Sequence, residues 1–378
     1  MTSDTGSFSL KDELFNEEKV TWLARQFKTA DKKFNDNHFI RDVMKELPRL
    51  ALKERIVFIA EVLQTYVSSD FEVASKQILK ALPPALDPRK TDGDFGEFII
   101  APLGQVVVNN GLFKRHLKTS LRVLKELTKR FSMEDAIRYF IKEFPNETMA
   151  ELKKWSTDKN YHVRRLVSEG TRPLLPWSAR VTIDQQDTIS LLDTLYADNT
   201  RYVTRSVANH LNDIAKMNPP LVIEVLQRWH TEKKQEAKEL AWMTKHSLRT
   251  LVKQGDTGAL RLLGYHTSPS IEVGELYISK QKLSIGETVE FSFSLTALAD
   301  ENILVDYVID FVKANGSSKP KVHKLKQLQL QKGETKEIVK RHPLKKDATT
   351  VKYYAGKHTI TLQINGRSYN SAHFTLFE

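Results

Sequence analysis

The densest run of chemically capable side chains is His162-Val-Arg164-Arg165-Leu-Val-Ser-Glu169-Gly-Thr-Arg172-Pro-Leu-Leu-Pro176-Trp177. Glu169 follows Arg165 by one helical turn, so the two share a face, and the helix is expected to stop near Gly170, ahead of Pro173. A carboxylate, several guanidiniums and an indole therefore gather near one helix end. The carboxylate holds positive charge by attraction and the indole face by cation–π contact, the latter worth about 0.5 to 2 kcal/mol. Packing alone offers a plainer account: an Arg165–Glu169 ion pair beside a core tryptophan clamped by two prolines.

The same run lies in a block that is written twice. Residues 155–169 align without a gap on residues 195–209, sharing Asp158 with Asp198, Val163 with Val203, Arg165 with Arg205 and Val167 with Val207. Glu169 becomes Asn209 and no tryptophan follows, so the carboxylate and indole are additions to a repeat that packs without them. Additions of that kind point to a site. The shared Asp is expected to cap the second helix of each unit, with the valines packing inward and the Arg emerging beside them. Asn209, Asn212, Asp213 and Lys216 follow at three and four spacing and form one polar stripe on a helix, which reads equally as a hydrated face.

The elements that must position these groups follow from periodicity. A repeat of about 40 residues marks stacked helix pairs of the HEAT-like kind. Apolar residues at three and four spacing, such as Val43, Leu47 and Leu50, then Ile56, Ile59, Ala60 and Leu63, run from Asp12 to about Gly264. Breaks fall at Pro83-Pro84, Pro88, Gly93, Gly111, Pro145, Pro173 with Pro176, and Pro219-Pro220, and residues 247–255 make a loose third copy. Beyond Pro269 the period becomes two, as in Glu290-Phe291-Ser-Phe293-Ser-Leu295, with turns at Gly286, Asn315-Gly316 and Asn365-Gly366. About six to eight short strands read as a β-sandwich. The expected fold is multidomain: an all-α HEAT-like helical repeat solenoid over residues 1–266, followed by an all-β immunoglobulin-like sandwich over residues 267–378.

Composition narrows the partners. Fifty-eight basic against 47 acidic side chains give a formal charge of +11, which favours a polyanion or an anionic surface. The absence of cysteine removes disulfides, thiolate zinc sites and cysteine nucleophiles. No secretory leader and no apolar run of membrane-spanning length is found, so the expected place is the cytoplasm and no membrane partner is foreseen. His210, His230 and His246 lack metal-ligand spacing, and glycine-rich phosphate loops, HExxH and GxSxG are all missing, so neither a metal nor a nucleotide cofactor is expected. The alternating basic run from Lys319 to Lys326 reads as a solvated edge strand, equally suited to tracking a phosphate backbone.

Three strings together resemble the AlkC-type DNA glycosylases, relatives of the AlkD enzymes: Asp94-Phe95-Gly96-Glu97-Phe98-Ile-Ile-Ala-Pro102-Leu-Gly104, the run from His162 to Trp177, and Arg205-Ser-Val-Ala-Asn209-His-Leu-Asn212-Asp213-Ile-Ala-Lys216. The resemblance extends over nearly all of residues 8–265, and the strand-rich tail looks like the immunoglobulin-like module of one branch, implied to help hold DNA. It implies a monofunctional enzyme that hydrolyses the N-glycosidic bond of cationic alkylated bases, such as 3-methyladenine and 3-methylcytosine, in double-stranded DNA. Base flipping is not implied, and a monomer without cofactor is expected. Glu169 and Trp177 would be the central catalytic pair, Glu134 another carboxylate near the lesion, and Asp213 a further carboxylate of the site. Arg165, Arg172 and Arg205 would hold phosphates, with Asn209 and Asn212 as lining. Two other readings remain beside it: a non-catalytic helical-repeat scaffold, and a damage-recognition DNA-binding protein that does not cut.

Overall fold

The computed structural model describes residues 9–90, 92, 93, 95–346, 348 and 351–378. Asp94, which opens the first of the three strings, lies outside the described residues. The chain forms two compact units, one running to Ile214 and including Lys233–Met243, the other comprising Ala215–Glu232 and Thr244–Glu378. The change from helix to strand comes later than the change of unit: the first strand begins at Ile271, and the helices Pro219–Glu232, Arg249–Gln254 and Thr257–Leu262 belong to the strand-bearing unit. Periodicity reports a segment's own conformation, not the element it packs on.

In the first unit the repeated blocks become helix pairs. Pro145 starts the helix Pro145–Trp155, where its missing N–H costs nothing, and the helix Tyr161–Gly170 packs against it and against Gln185–Leu195. Val163, Val167, Val203 and Val207 are fully buried, as their repetition implies. The repeated aspartate has a different job from the expected one. Asn160, not Asp158, caps the helix Tyr161–Gly170 by accepting from the backbone N–H groups of His162 and Val163. Asp158 instead fixes the turn before it, accepting from the Asn160 N–H at 2.8 Å, and Asp198 does the same for the Thr200 N–H at 2.9 Å. Their remaining charge is taken by Lys125 at 2.6 Å and by Arg164, whose Nη2 lies 3.1 Å from Asp198. The two side chains thus tie neighbouring repeats together.

Among the described residues of the second unit, nine strands form two sheets. They are β1 (Ile271–Val273), β2 (Tyr277–Ile278), β3 (Lys282–Ser284), β4 (Thr288–Ala297), β5 (Glu301–Val312), β6 (Ser318–Leu330), β7 (Thr335–Pro343), β8 (Gly356–Ile364) and β9 (Arg367–Phe377). One sheet has β4 paired with β1, β2 and β7; the other runs β3-β9-β8-β5-β6. Val289, Phe291, Phe293 and Leu295 of β4 alternate inward and meet Tyr307, Ile309, Ile360 and Phe374 in the core. β6 is an edge strand, so the basic run from Lys319 to Lys326 occupies the position its alternation suggested. Four strands are longer than expected, at ten residues or more, because short connections, of which Asn365-Gly366 with both residues at positive φ is the tightest, let the pairs continue. No described helix is long and apolar enough to cross a membrane.

Asp306 breaks the apolar pattern of this core. It sits at the bulge of β5, 2 % exposed, with Oδ1 lacking a hydrogen-bond partner. Burial pushes its carboxyl up to about 6, against the pull of Lys324 and Lys253. The folded state therefore binds more protons than the unfolded state between roughly pH 4 and 6, so this group's contribution falls as pH rises through that window. Asp306→Asn is expected to raise the melting temperature by a few degrees at pH 7 and by much less at pH 4, which calorimetry at the two pH values checks.

Candidate active site

A cleft of about 450 Å³ opens in the first unit, and Glu134, Asp135, Arg165, Trp177 and Tyr202 are among its lining. Its aromatic wall is assembled by an unusual backbone approach. Gly96, at φ +72°, pairs as an isolated bridge with Phe131, and a Cβ there would lie 1.7 Å from the Arg130 carbonyl oxygen. That contact brings Phe98 to 4.5 Å from the Phe131 ring, while Phe95, half exposed, meets Tyr202 edge-on at 5.5 Å.

From the cleft wall inward runs a chain of alternating charges. Arg165 Nη1 donates to Glu134 Oε2 at 2.8 Å and to Ser132 Oγ at 3.1 Å, and its Nη2 lies 3.6 Å from Glu169 Oε2. Its guanidinium carbon stands 4.6 Å from the centre of the Tyr202 ring. Arg172 Nη1 donates to Glu169 Oε1 at 2.6 Å and its Nε to Asp213 Oδ2 at 2.9 Å. Ser206 Oγ donates to the second Glu169 oxygen at 2.6 Å. Burial alone would push the Glu169 carboxyl up; Arg165, Arg172 and the Ser206 hydroxyl overcome it and hold the group below the usual carboxylate range. Burial likewise opposes charge on Arg165 and Arg172, and their carboxylates restore it.

The indole is presented, not packed. Trp177 is 84 % exposed with φ +68°, a backbone conformation that a bulky residue adopts only where its surroundings enforce it. The enforcement comes from Arg138, wholly buried, which donates to the carbonyls of Gly170 and Arg172 at 2.9 and 2.8 Å and of Ala179 at 2.6 Å. The segment between those anchors, with Pro173 and Pro176, carries the ring to the cleft. The packing account of this region fails at the tryptophan, although the Arg165–Glu169 ion pair it invoked is present.

The expected residues thus separate into two groups. Glu134, Arg165 and Trp177 line the cleft; Glu169, Arg172 and Asp213 lie behind it, each less than 9 % exposed. Glu169 was expected to face the same point as Trp177, but its oxygens are turned to Arg172, Ser206 and Arg165. Arg172, expected on a phosphate, has its donors on two carboxylates. Arg205 is partly exposed and pairs with Asp92 at 2.5 Å. The polar stripe is not one hydrated face: Asn212 and Asp213 are buried, Asn209 half-buried and Lys216 exposed, because the helix Arg201–Ala215 is enclosed along most of its length. His210, within that helix, is fully buried; its Nδ1 lies 3.0 Å from the Ser168 carbonyl, and burial pushes it down to about 3, so it stays neutral. Tyr202, Ser206 and Arg138 carry roles that the sequence reading did not assign. Tyr202 had one signal: it replaces His162 in the aligned repeat, a further departure between the copies.

Comparison with known proteins bears on the same segments. The family model described as DNA alkylation repair enzyme matches residues 115–251, and that of the C-terminal Ig-like domain of the uncharacterised protein YhaZ matches residues 272–378. The uncharacterized protein YhaZ of Bacillus subtilis (strain 168) is 35 % identical over 371 residues, which are 96 % of this chain and 98 % of that protein. Among solved structures, the Pseudomonas fluorescens alkylpurine DNA glycosylase AlkC bound to DNA containing an abasic site analog is similar at 33 % identity and a TM-score of 0.87, with 98 % of this chain and all of that chain covered.

Proposed function

Because this chain belongs to the DNA alkylation repair family, on its AlkC-like branch with a C-terminal immunoglobulin-like domain, we propose that it hydrolyses the N-glycosidic bond of cationic alkylated bases in duplex DNA. Substrates on this reading are bases such as 3-methyladenine and 3-methylcytosine, approached without rotation into a deep pocket. The protein acts in the cytoplasm as a monomer, with no cofactor.

One observation carries the reading: the chain Glu134–Arg165–Glu169–Arg172–Asp213, buried but for Glu134 on the cleft wall, holds three carboxylates against two guanidiniums, a surplus of one negative charge within the chain. Asp135 and Arg138, close by, add one charge of each sign, and Lys53 on the cleft lining adds a positive one, so the negative charge is local to the chain and is not a net charge of the cleft. As the C1′–N bond of an alkylated purine lengthens, its electron pair moves to the base, cancels the ring charge and leaves positive charge on the sugar. The chain's negative charge stabilises that charge through space, by an attraction that falls off with distance as Coulomb's law requires. Direct contact by Glu169 is therefore not needed. Glu134, on the cleft wall, steadies the sugar and takes the proton as water adds its oxygen to C1′; the Trp177 face meets the same sugar. Arg205 and the basic surface hold phosphates.

The test is release of free base from methylated duplex. Wild type should release it and Glu134→Gln should do so at least about tenfold more slowly, with none from unmethylated DNA. Binding without release would favour the damage-recognition reading, and neither would favour a scaffold. DNA affinity is expected to fall at least about tenfold between 50 and 200 mM salt, since counterion release drives phosphate contacts; titration at the two concentrations checks this, and a flat response would remove the phosphate role.

A further inference from the structure

Arg165 and Arg205 hold the same position in the two copies of the repeat, yet their charges are answered differently. Arg165 is enclosed by two carboxylates, Glu134 at 2.8 Å and Glu169 at 3.6 Å, and little of it reaches solvent. The Arg205 side chain is 36 % exposed, and among the described residues its one ion-pair partner is Asp92 at 2.5 Å, itself 44 % exposed. Arg205 stands one turn beyond Tyr202 on the helix Arg201–Ala215, so it emerges beside the cleft wall. The cation assigned to a DNA phosphate is thus already held by an anion of the protein.

Asp92 is brought there by anchors on either side of it. The Leu86 N–H donates to the Lys129 carbonyl at 3.0 Å, the Tyr161 hydroxyl donates to the Lys90 carbonyl, and Gly96 bridges Phe131. The carboxylate therefore stays near Arg205 even when the pair separates. Space to separate is present, since a Cβ at the neighbouring Gly93 would meet nothing within 4 Å. An ion pair this open to water contributes only about 0–1 kcal/mol, so an arriving phosphate can displace it. We propose that Asp92 is a tethered competitor of the DNA backbone: it occupies Arg205 in the free protein, gives way to a phosphate, and weakens binding to every duplex alike. The inference rests on the phosphate role given to Arg205 and not on base release. Phosphate contacts carry no sequence information, so undamaged and damaged duplexes are affected equally. The consequence is a shorter stay on undamaged DNA, because affinity differences within one interface lie mostly in the dissociation rate.

The experiment titrates an undamaged duplex and one carrying a stable abasic-site analog with wild type, Asp92→Asn, Arg205→Gln and the double variant. Asp92→Asn should bind both duplexes about three- to tenfold more tightly at 50 mM salt. That gain should shrink by about two- to threefold at 200 mM, because a phosphate that meets Arg205 without a rival anion releases its counterion in full and steepens the log–log salt slope by up to about 0.9. In the Arg205→Gln background the same substitution should change affinity by less than about twofold. Melting temperatures should match wild type, since the pair is open to solvent. Unchanged or weaker binding by Asp92→Asn overturns the inference. An equal gain in both backgrounds also overturns it, because a diffuse effect of charge needs no contact with Arg205. Either result from a protein that releases alkylated base leaves the glycosylase reading standing. A gain that vanishes with Arg205, in a protein that releases no base, supports the inference while that reading fails. A wild type that binds neither duplex at 50 mM salt overturns the inference and the phosphate role together.

Discussion

Glu169→Gln is expected to release alkylated base at least about tenfold more slowly than wild type, equivalent to about 1.4 kcal/mol of barrier. The substitution keeps the shape and an acceptor for Ser206, but it changes the five-member charge chain from a surplus of one negative charge to neutrality. Glu169→Ala should lose as much activity and also stability, by about 3 kcal/mol or more, because it leaves Arg172, 8 % exposed, without one of its two carboxylate partners. Base-release kinetics and thermal unfolding of the two variants separate these effects. A rate for Glu169→Gln within twofold of wild type would remove the electrostatic role. The pH dependence has a defined sign. The folded Glu169 carboxyl titrates below its unfolded range, so its contribution to stability is present above the unfolded value and is lost as pH falls through the folded one.

Trp177→Ala is expected to lose at least about tenfold in base release without losing stability. An indole that is 84 % exposed buries little apolar surface, and its φ of +68° is a cost, so Trp177→Gly should if anything raise the melting temperature while abolishing the ring's contribution. Circular dichroism melts and single-turnover assays on both variants check the pair of claims. Unimpaired release would take the sugar-facing role from Trp177. A large fall in melting temperature would instead return it to the packing role its proline flanks first suggested.

How much of this was legible in the sequence depends on the range of the interactions involved. The helix pairs were readable because Val163, Val167 and their repeats pack at fixed local spacing, and the sandwich because β4 alternates residue by residue. The Arg165–Glu169 pair was readable for the same reason, being one turn apart on a helix. Arg138 was not: its partners are carbonyls 32, 34 and 41 residues away, and a backbone carbonyl has no sequence signature. The inward turn of Glu169 was equally hidden, since it depends on Ser206 and Arg172 arriving from two other segments. Tyr202 became informative only when the two copies of the repeat were laid side by side.

Arg138 gives the loop that carries Trp177 the character of a bow strung between two fixed pegs. Two carbonyls before the tryptophan and one after it converge on one planar cation, a fan of acceptors that a lysine's single ammonium cannot span. The ring is consequently aimed before any DNA arrives, and the entropy of ordering it belongs to folding instead of to each encounter. Between the pegs, Leu175 turns into the core and Pro176 joins the cleft wall, so the strung segment is held along its length as well as at its ends.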